Sequence, residues 1–215
     1  MLLMTTPVRR RGRPYHHGNL RRALLREAAA LLRMRGAEAL SLRAVARRTG
    51  VSPAAPYAHF PDKAALVAAL AADGFRLLTV AMRRAFKEAG ADAFKRLKTM
   101  AAAYVGFAVD HPAHFAIMFG DERPPIEQHP DLHEAAHDAT GVLLAAMLDC
   151  QREGCVMAGD PMELALFVWV LLHGIAVLVL ADFMPGVTDP RRRRADAVRL
   201  AESYVERALR GIAPR

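Results

Sequence analysis

Apolar residues recur every three to four positions along nearly the whole chain, and no useful stretch alternates with period two, so the pattern predicts an all-α protein. Leu20, Leu24, Ala28, Leu31 and Leu32 mark a first helix, with Asn19 as its cap and Gly36 as its end. A short second helix runs from Ser41 to Gly50, and a third starts at Ser52 and Pro53 and leads to Phe60. Pro61 and Asp62 then restart the chain into a long helix through Lys63, Leu66, Leu70, Phe75 and Leu78. Further helices are predicted near 92–110, 113–119, 131–153, 161–183 and 190–210, separated by His111-Pro112, Asp121 to Pro125, Gly154 and Pro185-Gly186. The order predicts a basic arm over 1–18, a three-helix domain over 19–64, a connector helix over 65–90 and a larger helical domain over 91–215.

The segment SLRAVARRTGVSPAAPYAHF, Ser41 to Phe60, has the spacing of a helix-turn-helix. Ser41 can accept a hydrogen bond from a free backbone N–H, and Gly50 suits the left-handed residue that ends such a helix. Ala46 is small where the two helices must approach, while Leu42, Val45, Val51 and Phe60 can anchor the angle between them. Helix pairs of this kind also occur without DNA, but the charge distribution separates the readings. Residues 1–63 hold thirteen Lys and Arg against three acids, whereas the remainder holds seventeen against nineteen. The excess of positive charge therefore sits beside the motif, where phosphate neutralisation would drive association with double-stranded DNA. Arg9, Arg10, Arg11 and Arg13 give the leading arm the composition of a segment that orders on a partner.

At 215 residues and 53% hydrophobic content, the chain can build a core in each half. Cys150 and Cys155 show neither disulfide-framework nor zinc-finger spacing, and the first residues reach arginines before any sustained apolar run, so a cytoplasmic protein is expected. Residues 164–181 challenge that reading, because His173 is their only ionisable group and their length approaches a membrane span. A helix apolar on every face is also what a position between a domain core and a dimer partner demands. We expect the second arrangement, with the helices near 161–183 and 190–210 pairing two copies; Val198, Ala201, Val205, Leu209 and Ile212 form a stripe on the latter.

Two further patterns concern chemistry. His133-Glu134-x-x-His137 matches the zinc-peptidase signature, in which imidazoles one turn apart hold a metal and the glutamate activates water. Glu153 and Glu163 are the conceivable third ligands, and no longer peptidase signature continues, so neither a metal nor another cofactor is expected. No Ser-His-Asp set, phosphate-binding glycine loop or paired-carboxylate site is recognisable, and no catalytic residue is assigned. Phe107, Phe115, Met118, Phe119, Met147, Trp169 and His173 could line a cavity for an unidentified small-molecule effector, although Met and aromatic residues at helical spacing also build plain core.

Residues 15–70, through YHHGNLRRALL, the helix-turn-helix string and the following Pro-Asp-Lys, resemble the tetracycline-repressor (TetR) family of bacterial regulators. HPAHFAIMFG (His111 to Gly120) and Trp169-x-x-x-His173-Gly174-Ile175-Ala176 are similar to one subgroup's regulatory domain. The resemblance implies a homodimeric, ligand-responsive repressor whose two recognition helices enter successive major grooves of a palindromic operator. It assigns phosphate contact to Tyr57, a neighbouring contact to His59, and a further contact to Lys63 at the next helix start. Ser41, Ser52 and Asp62 stand at helix N-termini able to offer N–H groups to the same anions, with Arg43 and Arg47 within reach. The chain departs from the pattern at Ala54, Ala55 and Pro56, where base-reading side chains are commonly larger; an alanine can touch only a thymine methyl.

Overall fold

The computed structural model describes residues 17–211, with side chains from residue 20 onward. Among them are eight α-helices and no strand: α1 (His17–Arg35), α2 (Leu42–Thr49), α3 (Lys63–Glu88), α4 (Ala93–Asp110), α5 (Pro112–Phe119), α6 (Pro130–Arg152), α7 (Pro161–Leu180) and α8 (Arg193–Gly211). The all-α expectation holds, with three adjustments at helix ends. α1 begins at His17, before the expected cap Asn19. α7 stops at Leu180, and Asp182 takes a left-handed φ of 56° just beyond it. α8 starts at Arg193 rather than near Pro190, after an Asp189 turn in which the carboxylate accepts from the Arg191 N–H.

Two apolar cores organise these helices. The first joins Leu24, Leu31 and Leu32 of α1, Leu42 and Val45 of α2, Phe60, and Leu66 and Leu70 of α3. A Glu27–Arg48 ion pair at 3.2 Å braces α1 against α2. The second core takes Phe75, Leu78 and Met82 from α3 and fills the space between α4, α6, α7 and α8. The 26-residue α3, about 39 Å long at 1.5 Å per residue, serves both, with Leu66 and Leu70 in the first core and Phe75, Leu78 and Met82 in the second. The short α5 also serves both: Ile117 is buried in the first core, while Phe115 and Met118 belong to the second. Gly74 permits α5 to lie this close to α3, since a Cβ there would stand 2.5 Å from Met118 Sδ.

The α8 stripe turns inward. Ala201, Val205 and Leu209 are fully buried against the protein's own core, so they do not form the expected partner-facing surface; Ile212 lies outside the described residues. The arginine run at the helix start is used for docking instead. Arg194 pairs with Asp110 of α4 at 2.7 Å and lies over Gly106. Arg193 pairs with Asp182 at 2.8 Å and donates to the Val179 carbonyl, near the end of α7 where the backbone dipole is negative.

Candidate nucleic-acid interface and ligand cavity

The helix-turn-helix is built as its sequence dictates up to Gly50. Ser41 Oγ accepts from the Ala44 N–H at 3.1 Å, and Gly50, at φ 73°, lets the Val51 N–H return to the Ala46 carbonyl at 3.1 Å. The segment after Ser52 then departs from the expected α-helix. Pro53 and Pro56 bring no N–H, and the remaining donors close shorter loops: Ala55 to Ser52, Tyr57 to Ala54 and His59 to Pro56, each three residues back. The recognition segment is thus a turn followed by a 3-10 helix over Ala55–Ala58, without a side-chain cap from Ser52.

Ser41, Arg43, Arg47, Ser52, Ala54 and Tyr57 are all exposed; Tyr57 keeps about half its surface in water. Ala55 is half-buried and Pro56 buried, so Ala54 is the better placed of the two alanines for a base edge. His59 is half-buried, with Nε2 enclosed and unpaired. Asp62 caps α3 by accepting from the Ala65 N–H at 2.8 Å, so that donor is already taken. Lys63 Nζ lies 3.5 Å from Glu122 Oε2 of the α5–α6 loop, a contact between residues far apart in sequence. The arm residues Arg9, Arg10, Arg11 and Arg13 lie outside the described residues.

A cavity of about 510 Å³ opens within the second core, bounded by α3, α4, α5, α6 and α7. Met118, Phe119, Trp169 and His173 line it as the sequence suggested. Phe107, Phe115 and Met147 do not: they are buried beside it in the packed core. Tyr104, which the sequence reading missed, is part of the wall, its hydroxyl 3.0 Å from His173 Nδ1. The His173 ring stacks on Phe115 at 5.3 Å and meets the edge of Phe119 at 4.8 Å. Burial lowers the His173 pKa and raises that of Tyr104, so both are neutral near pH 7.

Nothing among the described residues completes the zinc-peptidase pattern. His133, Glu134 and His137 face solvent on α6, while Glu153 accepts from the Ala93 N–H at 3.2 Å and Glu163 sits in the first turn of α7. Among the described residues no group of three potential ligands converges. α7 is long and apolar enough to cross a membrane, as is α3, but its inner face packs in the second core through Ala165, Val168, Leu172, Ile175, Ala176 and Val179.

Residues 24–70 match the family of bacterial regulatory proteins called the tetR family, and residues 97–202 match the tetracyclin repressor-like C-terminal domain. The chain belongs to the TetR family. This TetR protein is 33% identical over 126 residues to an HTH-type transcriptional regulator of Mycobacterium tuberculosis, a match covering 58% of the chain and 52% of that regulator. It therefore spans about half the length of the curated relatives it matches. A solved protein of unknown function from Rhodococcus sp. RHA1 is 36% identical with a TM-score of 0.78, over 94% of this chain and 100% of that one. A TetR family transcriptional regulator from Thermus thermophilus shares the fold at TM-score 0.64 and 23% identity, over 87% and 97% of the two chains.

Two histidines are expected to make the stability of this TetR protein sensitive to acid. His114 of α5 is 3% exposed with Nδ1 unpartnered, and its pKa is lowered by burial first, then by His111 and Arg33, against a smaller opposing effect of Asp73. His173 is lowered by burial. The unfolded chain therefore binds these protons first, near pH 6.5, so stability falls as pH drops below about 6.5 and levels once the folded-state pKa values are passed. Urea denaturation between pH 7 and 5 is expected to show that loss, and His114→Leu to reduce its slope; an unchanged slope in the variant would remove His114 from the effect.

Proposed function

We propose that this protein is a ligand-responsive transcriptional repressor that acts in the cytoplasm, binding a palindromic operator as a homodimer. The observation that carries the reading is the sharing of α3 and α5 between the core beneath the exposed helix-turn-helix and the core that holds the cavity. An effector seated against Phe75, Met118 and Phe119 shifts both helices, and a coupling of about 1–3 kcal/mol weakens DNA binding roughly 5- to 150-fold. Trp169 and His173 standing together in the cavity wall support the subgroup suggested by their motif.

Residues 19–64 form the DNA-binding unit in this reading, 65–90 the connector, and 91–215 the regulatory and dimerisation domain. Recognition segments of the two copies contact half-sites about 34–36 Å apart, or a multiple of that distance. Tyr57 and Lys63 donate to phosphates; Ser41, Arg43, Ser52 and His59 add backbone contacts, and Ala54 and Ala55 meet thymine methyls. The Arg9–Arg13 arm enters an adjacent A·T-rich minor groove. Dimerisation rests chiefly on α7, where Leu166, Phe167, Val170, Val177 and Leu178 remain exposed, with Tyr204 of α8 alongside.

Selection of bound fragments from the source genome by the purified protein tests the reading: a palindrome with the stated spacing is expected, and enrichment of nothing at low salt would refute it. On a recovered site, Lys63→Ala is expected to weaken binding across all sequences and to reduce the salt slope by about one. Tyr57→Phe is expected to weaken it without altering that slope. Affinity equal to wild type in either variant would remove that residue from the phosphate contacts.

A further inference from the structure

The cavity wall is mainly apolar, its neutral polar groups being Thr140 and the paired Tyr104 and His173. Among the described residues lining it, Arg123 alone carries a permanent charge, and no Asp or Glu joins them. Arg123 lies in the loop between α5 and α6, where its backbone N–H returns to the Gly120 carbonyl at 3.1 Å. Other cations bordering this region are paired: Arg76 with Asp73 and Asp131, and Lys63 with Glu122. The Arg123 guanidinium has no carboxylate within ion-pair distance among the described residues, although Asp121 and Glu122 precede it in the chain. A planar fork of donors at the rim of an apolar chamber fits carboxylate and phosphate alike, but one guanidinium leaves a phosphate dianion half-neutralised, so the single charge of a carboxylate is the better match. The absence of acids from the wall disfavours a cationic ligand, and the volume suits a small organic molecule.

We propose that the cavity binds an apolar monocarboxylate, acyl or aryl, with its carboxylate on Arg123 at the mouth and its body inside against Phe119, Trp169 and the Tyr104–His173 pair. The site rests on the effector reading above and specifies the chemistry of that effector. Arg123 sets the preference for an acid, whereas the wall accepts any apolar body of suitable size. Because the guanidinium is exposed, the preference is modest and falls with salt.

Trp169 is the only tryptophan of the chain and lines the cavity, so its fluorescence reports occupancy directly. The full-length protein is titrated with decanoate, decanol and decylamine below their micellar concentrations. Decanoate is expected to shift the emission saturably and to bind about tenfold more tightly than decanol, with decylamine weakest. Arg123→Gln is expected to bring acid and alcohol level, and Arg123→Lys to restore part of the difference. Equal binding of acid and alcohol by the wild type, a preference that survives Arg123→Gln, or silence of Trp169 toward all three would overturn the proposal. The same probes added to the DNA complex separate this site from the effector reading. Arg123-dependent acid binding that leaves DNA bound upholds the site and removes the effector role; release of DNA by decanol as readily as by decanoate upholds that role and removes Arg123.

Discussion

Replacing Val170 and Val177 together by aspartate is expected to yield a folded monomer that binds its operator about 10²- to 10⁴-fold more weakly. The two positions are seven residues apart on α7 and 62% and 45% exposed in the protomer, among Leu166, Phe167 and Leu178. Carboxylates there remain hydrated in a single copy, so the protomer fold loses little. In a paired face the same groups would be stripped of water beside apolar neighbours and each other, at a cost of several kcal/mol per charge. Loss of pairing turns a two-site attachment into two independent single-site encounters, which explains why a change far from the helix-turn-helix should act so strongly on DNA. Sedimentation at micromolar concentration, helical content and operator affinity are the three readouts. A variant that stays dimeric, or a wild-type protein that sediments as a monomer, would remove α7 as the pairing surface.

What the sequence disclosed follows the range over which each interaction acts. Ser41 and Gly50 were legible because a cap and a left-handed end are set by residues three or four apart, and both form as expected. The recognition segment was legible as a position but not as a conformation: Ser52-Pro53 signals a helix start, yet Pro56 removes the next donor and leaves bonds that close three residues back. On α8 the stripe was real, but periodicity does not say whether an apolar face meets its own core or a second copy, and Ala201, Val205 and Leu209 meet their own. Sorting Met118 and Phe119 from Phe107, Phe115 and Met147 needed the rotation of each helix about its axis, which no local pattern contains. Tyr104 was passed over because a tyrosine in an apolar stripe reads as core until His173, on another helix, is brought to its hydroxyl. The Lys63–Glu122 contact is equally beyond local reading.

The helix that most directly joins the two cores gives the second large expectation. Ile117→Ala is expected to cost about 2–5 kcal/mol of stability, because a side chain only 1% exposed would leave a void between α1, α3 and α5. The same substitution is expected to uncouple the protein: operator binding without effector persists at temperatures where the variant is folded, while effector no longer lowers it. Met118 packs over Gly74 and lines the cavity; Phe119 lies against Phe75 with ring centroids 5.4 Å apart, and Ile117 precedes both on a helix of only eight residues. Any occupant that displaces Phe119 moves this short rod as a unit, and Ile117 is the side chain through which it presses on the helices beneath the DNA-binding surface. Trimming Ile117 removes the tooth but leaves the cavity wall in place, so effector binding read by Trp169 should be retained. Ile117→Val, costing about 0.5–1.5 kcal/mol, keeps most of that contact and should keep most of the response. Full effector response in Ile117→Ala would show that α3 alone transmits the signal, from Phe75 and Leu78 to Leu66 and Leu70 along its own axis.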